Sequence, residues 1–289
     1  MKSIFTATIL FLALLTGCAP ESTFIKNDIA ISSDAERIAY SVYGTGSTAL
    51  VFIHGWSCDS RYWREQTAAF SNEYTVITID LAGHGHSSAN RTEYTIESFA
   101  EDVKAVIKKE NIRRAILIGH SLGGDVIAKS AELMPEIVVS IVGIDTYHNV
   151  GEIVTQEFVD QMLQPFTDDF VTAAHEFVGS MFPETADKDL VYWTKEDMSS
   201  APKNSAMNAI RNYLERIVSG ESSRVFENVH VPVMSINGLT WPTEEDANRK
   251  HIKDYRPLYI EETGHFPMME RPEAFNTILK DALASLEAQ

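Results

Sequence analysis

The chain has 289 residues, of which 44% are apolar and 22% charged, ordinary proportions for one large globular domain or two small ones. Its formal charge of −17 at pH 7 excludes a nucleic-acid binder, because phosphate recognition needs a basic face. It equally excludes electrostatic docking on anionic lipid, and suits a soluble acidic surface that favours neutral or cationic substrates.

Lys2, an apolar run from Ile9 to Leu15 and then Thr16-Gly17-Cys18 open the chain. The first two are the n-region and h-region of a secretory signal, and the run is too short to span a bilayer. Leu15-Thr16-Gly17-Cys18 resembles the lipobox of bacterial lipoproteins, where cleavage precedes a cysteine that becomes lipidated. That resemblance implies a signal peptide over 1–17, a lipid anchor on Cys18 and a tether over 18–23. Each buried methylene of an acyl chain adds ~0.8 kcal/mol, so several chains hold a protein on a membrane without a helix. The implied location is the bacterial cell envelope, and Ala19 after the cysteine favours the outer membrane if the source is Gram-negative. The other cysteine, Cys58, has no intrachain partner, so no disulfide framework is expected. It reads as a packed or lining residue.

Phe24–Ile31 and Arg37–Tyr43 read as antiparallel strands around Ser32-Ser33-Asp34. Ala49–Ile53 is a continuous apolar run, as in a strand covered on both faces, and His54-Gly55-Trp56 follows it. A helix from Ser60 to Phe70 precedes a buried strand over Tyr74–Ile79, which ends at Asp80. Asp80 to Ser87 forms a glycine-broken loop. Ile96, Phe99, Val103, Val106 and Ile107 recur at helical spacing behind a Thr95 cap. Another apolar strand then leads into Gly119-His120-Ser121-Leu122-Gly123-Gly124 and a helix to about Met134. Val138–Ile144 is the next strand, ending at Asp145.

From about Tyr147 to Val225 the strand pattern stops. Helices are predicted near Thr155–Gln164, Asp168–Met181, Lys188–Met198 and Ser205–Val218, broken by Pro165, Pro183, Pro202 and Gly220. The alternation resumes with a strand at Val231–Ile236, a helix near Glu244–Lys253, a strand at Leu258–Ile260, Gly264-His265, and a last helix over Pro272–Leu286. The predicted organisation is a core over 24–146 and 226–289 with a helical cap over 147–225.

Gly119, Ser121 and Gly123 fit the G-x-S-x-G nucleophile elbow, a strained strand-to-helix turn that pushes a serine hydroxyl out of the backbone. The helix behind it offers free N–H groups to a developing negative charge. Strands alternating with helices imply a mostly parallel sheet, with ligands outside the carboxyl ends of its strands. His54-Gly55-Trp56, Asp80–Ser87, the elbow, Asp145 and Gly264-His265 all fall at those ends. Together they resemble the α/β-hydrolase superfamily in its capped branch: an eight-stranded, mostly parallel sheet with helices on both faces and an inserted helical cap.

The resemblance implies Ser121 as nucleophile, His265 as general base, and the backbone N–H groups of Trp56 and Leu122 as oxyanion-hole donors. It implies no cofactor. His54 is expected to fix its loop, His120 to pack, and His84 and His86 to serve as loop scaffolding, since no third metal ligand stands nearby. One departure matters: the loop after the seventh strand, where many relatives carry the triad acid, reads Asn237-Gly238-Leu239-Thr240-Trp241-Pro242. Trp241 occupies the acid's usual position. Asp145, after the sixth strand, is the expected acid, with Glu244, Glu245 and Asp246 as alternatives.

The implied activity is hydrolysis of a carboxylic ester, thioester or lactone of small size, the partner being the substrate, through an acyl-enzyme on Ser121. C–C bond hydrolysis and perhydrolysis stay open within the fold. A ligand-binding protein that kept the fold without catalysis is the alternative from another class. Serine at the elbow argues against relatives that attack with a carboxylate, and apolar cap residues point to an apolar acyl or alcohol group.

Overall fold

The computed structural model of the chain describes residues 23–287. The signal peptide, Cys18 and most of the tether lie outside the described residues. Strands β1 (Phe24–Ile31) and β2 (Arg37–Tyr43) form an antiparallel pair, and β2 runs antiparallel to β4 (Thr75–Ile79). From there the sheet is parallel: β3 (Ala49–Ile53), β5 (Ala115–His120), β6 (Val138–Ile144), β7 (Val233–Asn237) and β8 (Tyr255–Tyr259). The eight strands lie in the order β1-β2-β4-β3-β5-β6-β7-β8.

Every residue of β3 and β5 is buried, which is why both read as unbroken apolar runs instead of alternating ones. Helices α2 (Ile96–Lys109) and α3 (Leu122–Leu133) form one packed pair against the sheet, and α1 (Arg64–Phe70) and α11 (Pro272–Glu287) another. Thr95 caps α2 in a reciprocal box with Ser98, satisfying amides that the helix itself cannot.

Between β6 and β7 there is no strand. That segment carries α4 (Gln156–Asp168), α5 (Phe170–Ser180), α6 (Lys188–Ser199), α7 (Lys203–Ser219) and the single turn α8 (Glu221–Arg224). Their apolar faces pack on one another and over the carboxyl ends of the strands, where Phe166, Phe170 and Phe177 surround Trp56. The short helices α9 (Glu245–Asn248) and α10 (Pro267–Glu270) complete the chain.

Three boundaries depart from the sequence expectation. Pro165 lies inside α4 instead of ending it; the chain turns only at Asp169, whose side chain caps α5. Strand β8 begins at Tyr255 and runs through Pro257, since a proline's missing N–H is tolerated on a strand at the edge of a sheet. The helix predicted over Glu244–Lys253 is only one turn, Glu245–Asn248.

Candidate active site

Ser121 stands between β5 and α3 with φ 53° and ψ −120°, a conformation that side chains rarely adopt. Two glycines make the turn possible. A Cβ on Gly119 would come within 2.3 Å of the Gly123 carbonyl oxygen, and one on Gly123 within 2.7 Å of the Ile53 and His54 carbonyl oxygens. The strain is local to this end of the sheet. Of seven non-glycine residues with positive φ among the described residues, Ser57, Ser121, Asp145 and Tyr147 surround the same place. Backbone strain gathered in this way is a feature of functional sites.

His265 and Ser121 line one cavity together. The imidazole is held from several sides. Its Nδ1–H donates to Asp145 Oδ2 at 2.6 Å, its backbone N–H to the Met181 carbonyl at 3.0 Å, and its own carbonyl accepts the Nε2–H of His120 at 2.7 Å. Glu270 accepts the amides on either side, from Gly264 and Phe266. Ser121 Oγ is not hydrogen-bonded to His265 in this structure; in free enzymes such contacts are often long and tighten with substrate.

Asp145 is 3% exposed, yet its carboxyl lies well below the usual carboxylate range. Burial alone would raise it. Hydrogen bonding to His148 and His265 and their charge outweigh that cost. Its Oδ1 accepts the Gly238 N–H at 2.9 Å, and His148 Nε2 lies 3.7 Å away. Glu245, by contrast, is engaged with Arg249 and Tyr259, and Glu244 and Asp246 are exposed. Trp241 stands edge-on to the His265 ring, with centroids 5.2 Å apart.

The Leu122 amide opens α3, and neither it nor the Trp56 amide finds a protein acceptor among the described residues. Both are therefore free to face a negative oxygen beside Ser121. The Trp56 side chain fastens its loop to the inserted helices: its indole N–H donates to the Ala206 carbonyl on α7 at 2.7 Å.

Four further histidines stand near the site or in its loops. His54 donates Nδ1–H to the Gly55 carbonyl and accepts the Leu81 N–H at Nε2, so one neutral tautomer satisfies both ends. His120, its ring tilted against that of His265, is pushed down to about 3 by burial and by the neighbouring imidazole. It stays neutral and serves as a donor. His84 is buried beside His54, whereas His86 lies at the surface on Asp80, so the two point apart. No group of metal-ligating side chains among the described residues could hold an ion. Cys58 is buried, its Sγ toward the Trp56 carbonyl at 3.3 Å, and burial raises its thiol well above the ordinary value.

Two lobes open from Ser121 and His265. One, of about 140 Å³, is apolar, with Met162, Phe177, Met198, Ile210 and Leu214 of the inserted helices in its wall. The other, of about 220 Å³, is polar and includes Asp125, Glu152 and Ser222. Sequence reading passed over these residues. For Asp125 a signal existed: it is the acidic residue in the first turn of the helix that the elbow opens.

The chain belongs to the alpha/beta hydrolase fold family, whose model matches residues 48–272. A Haemophilus influenzae protein whose name proposes an esterase/lipase is 30% identical over 241 residues, covering 78% of this chain and 79% of that one. Human Protein ABHD8 is 29% identical over 275 residues, and the match spans only 59% of that longer relative. Among solved structures, a thermophilic esterase from Thermogutta terrifontis is similar with a TM-score of 0.78 at 21% identity. It covers 91% of this chain and 99% of its own. Est816, described as an N-acyl homoserine lactone degrading enzyme, reaches 0.76 at 24% identity, covering 87% and 99%. At these identities the structures speak for the fold.

Proposed function

We propose that the protein is a serine hydrolase that cleaves a small carboxylic ester through an acyl-enzyme on Ser121. The observation that carries this reading is the 2.6 Å bond from His265 Nδ1–H to Asp145, on an imidazole that shares a cavity with Ser121. A serine hydroxyl attacks only when a base takes its proton, and Nε2 of His265 is the group left for that task. Asp145 fixes the tautomer and stabilises the imidazolium as it forms.

Attack by Ser121 Oγ on the carbonyl carbon puts negative charge on its oxygen, facing the Trp56 and Leu122 amides at the positive end of α3. The protonated His265 then gives its proton to the leaving alcohol. Water, activated by the same imidazole, releases the acid and restores the serine. Thioesters and lactones need the same steps, and the name of Est816 supports including a lactone. The apolar lobe suits one apolar arm of the substrate.

We further propose that the mature chain is a lipoprotein of the bacterial envelope, anchored through Cys18. The Leu15-Thr16-Gly17-Cys18 motif supports it. No helix among the described residues is long and apolar enough to cross a membrane.

A fluorophosphonate probe tests the enzymatic reading. Stoichiometric labelling on Ser121, lost in Ser121→Ala and strongly reduced in His265→Ala, is expected. A folded protein that stays unlabelled would favour a binding protein on the same fold.

A further inference from the structure

The polar lobe contains a buried carboxylate that the fold leaves without a counter-ion. Asp125 lies in the first turn of α3 and is 7% exposed. Among the described residues, no lysine or arginine reaches it at ion-pair distance and no backbone N–H donates to it. Arg216 acts on it only from a distance, its own Nη1 being bound to Glu97 and Glu221. The buried Ser222 hydroxyl lies beside it, and hydrogen bonding between the two favours the carboxylate, but at a geometry too loose to satisfy the hydroxyl.

Buried polar groups are normally satisfied, and each exception costs the fold free energy. Here an unsatisfied hydroxyl and a carboxylate without a counter-ion line a single cavity that includes Ser121. Burial pushes Asp125 up to about 6, Arg216 pulling the other way, so the group is an anion at neutral pH. Glu152 adds a second carboxylate to the lobe, and the rings of Tyr147, Tyr213 and Phe226 supply faces that attract cations. The volume of about 220 Å³ has room for roughly seven water-sized groups. A charge of −17 draws cations toward the whole molecule.

We propose that this lobe binds a protonated amine carried by the substrate, with Asp125 and Ser222 accepting its N–H. The substrate class is then an ester with one apolar arm and one arm ending in an alkylammonium. This rests on the reading of Ser121 as an ester-cleaving nucleophile.

Two isosteric pairs test it on the full chain at neutral pH: dimethylaminoethyl acetate against isopentyl acetate, and methyl dimethylaminopropionate against methyl isocaproate. They place the amine on the alcohol arm or on the acyl arm. In one pair the amine should raise kcat/KM about ten- to hundredfold, the range of a charge-assisted hydrogen bond. That preference should fall to near unity in Asp125→Asn and be weakened in Ser222→Ala. No preference in either pair, or one that survives Asp125→Asn, overturns the subsite.

Should Asp125→Asn fail to fold, the wild type decides. 3,3-Dimethylbutylamine should protect Ser121 from fluorophosphonate, and the neutral 3,3-dimethylbutan-1-ol of the same shape should not; equal protection overturns the proposal. Turnover of neutral esters without an amine preference would defeat the subsite alone. Absence of both turnover and Ser121 labelling would defeat the hydrolase reading itself.

Discussion

Asp145 Oδ1 accepts the backbone N–H of Gly238 at 2.9 Å, while Oδ2 of the same carboxylate holds His265. One side chain at the end of β6 thus ties the loop after β7 to the loop after β8. The β7 loop gives its amide instead of a carboxylate, which leaves the position of Trp241 free for an aromatic ring against the imidazole.

Asp145→Asn should therefore lower kcat by up to ~10⁴, the scale of the same change in a protease triad, where the histidine takes the wrong tautomer. Glu245→Gln should change the rate by less than about tenfold, or 1.4 kcal/mol. Steady-state kinetics on one ester with both variants gives the comparison. Near-normal turnover in Asp145→Asn would remove Asp145 from the triad.

Ser121→Ala should keep the fold and lower kcat by ~10⁶, the scale of single nucleophile removal in a well-studied protease. The half-buried hydroxyl lines a cavity and makes no hydrogen bond to His265, so circular dichroism and thermal unfolding should be unchanged within about 0.5 kcal/mol. Retention of more than about a tenth of the rate would exclude Ser121 as nucleophile.

What the sequence made legible is what has local pattern. The buried strands announced themselves as apolar runs, α2 by its spacing behind Thr95, and the elbow by glycines whose Cβ atoms would strike backbone. Pro257 hid the start of β8, because a proline speaks against a strand unless the strand is known to be at an edge. The loop contacts had no local pattern at all. The Trp56 indole meets a carbonyl 150 residues away, and His120 supports His265 from 145 residues away. Nor did any periodicity mark Asp125 as lacking a counter-ion, since that depends on where Arg216 points.

The Trp56–Ala206 bond links the loop of the proposed oxyanion donor to the inserted helix α7. Trp56→Phe keeps a ring among Phe166, Phe170 and Phe177 but leaves the Ala206 carbonyl without its indole donor. Loss of alignment should lower kcat about ten- to hundredfold, less than the 10²–10³ for deleting such a donor outright. KM should move by less than threefold or so, because transition-state contacts act on kcat. A change confined to KM would mean that the bond serves substrate binding instead.

The proposed anchor predicts acyl mass on Cys18 and partitioning of mature protein with membranes. Cys18→Ser should lose both and leave specific activity toward soluble esters intact. Mass spectrometry of the N-terminal peptide with membrane fractionation reads this directly. Unmodified mature protein free in the periplasm or medium would overturn the anchor.

Asp125 should cost the fold stability at neutral and alkaline pH. Its carboxyl titrates at about 6 in the folded chain, above its ordinary 3.8, with burial as the largest cause. A carboxyl raised on folding contributes stability that is fully present below the ordinary value and is lost as pH rises through the folded one. The wild type should therefore be penalised above about pH 6 by up to about 3 kcal/mol, the energy equivalent of that difference. Asp125→Asn removes the titration while keeping the shape. It should unfold several degrees higher than wild type at about pH 8, with the gap closing toward about pH 4. Thermal unfolding of both proteins across that range gives the answer. Greater stability joined to loss of the amine preference would be the trade-off expected of a residue kept for binding at the expense of the fold. A variant less stable than wild type at alkaline pH would mean that the carboxylate is satisfied within the protein, and so is not waiting for a ligand.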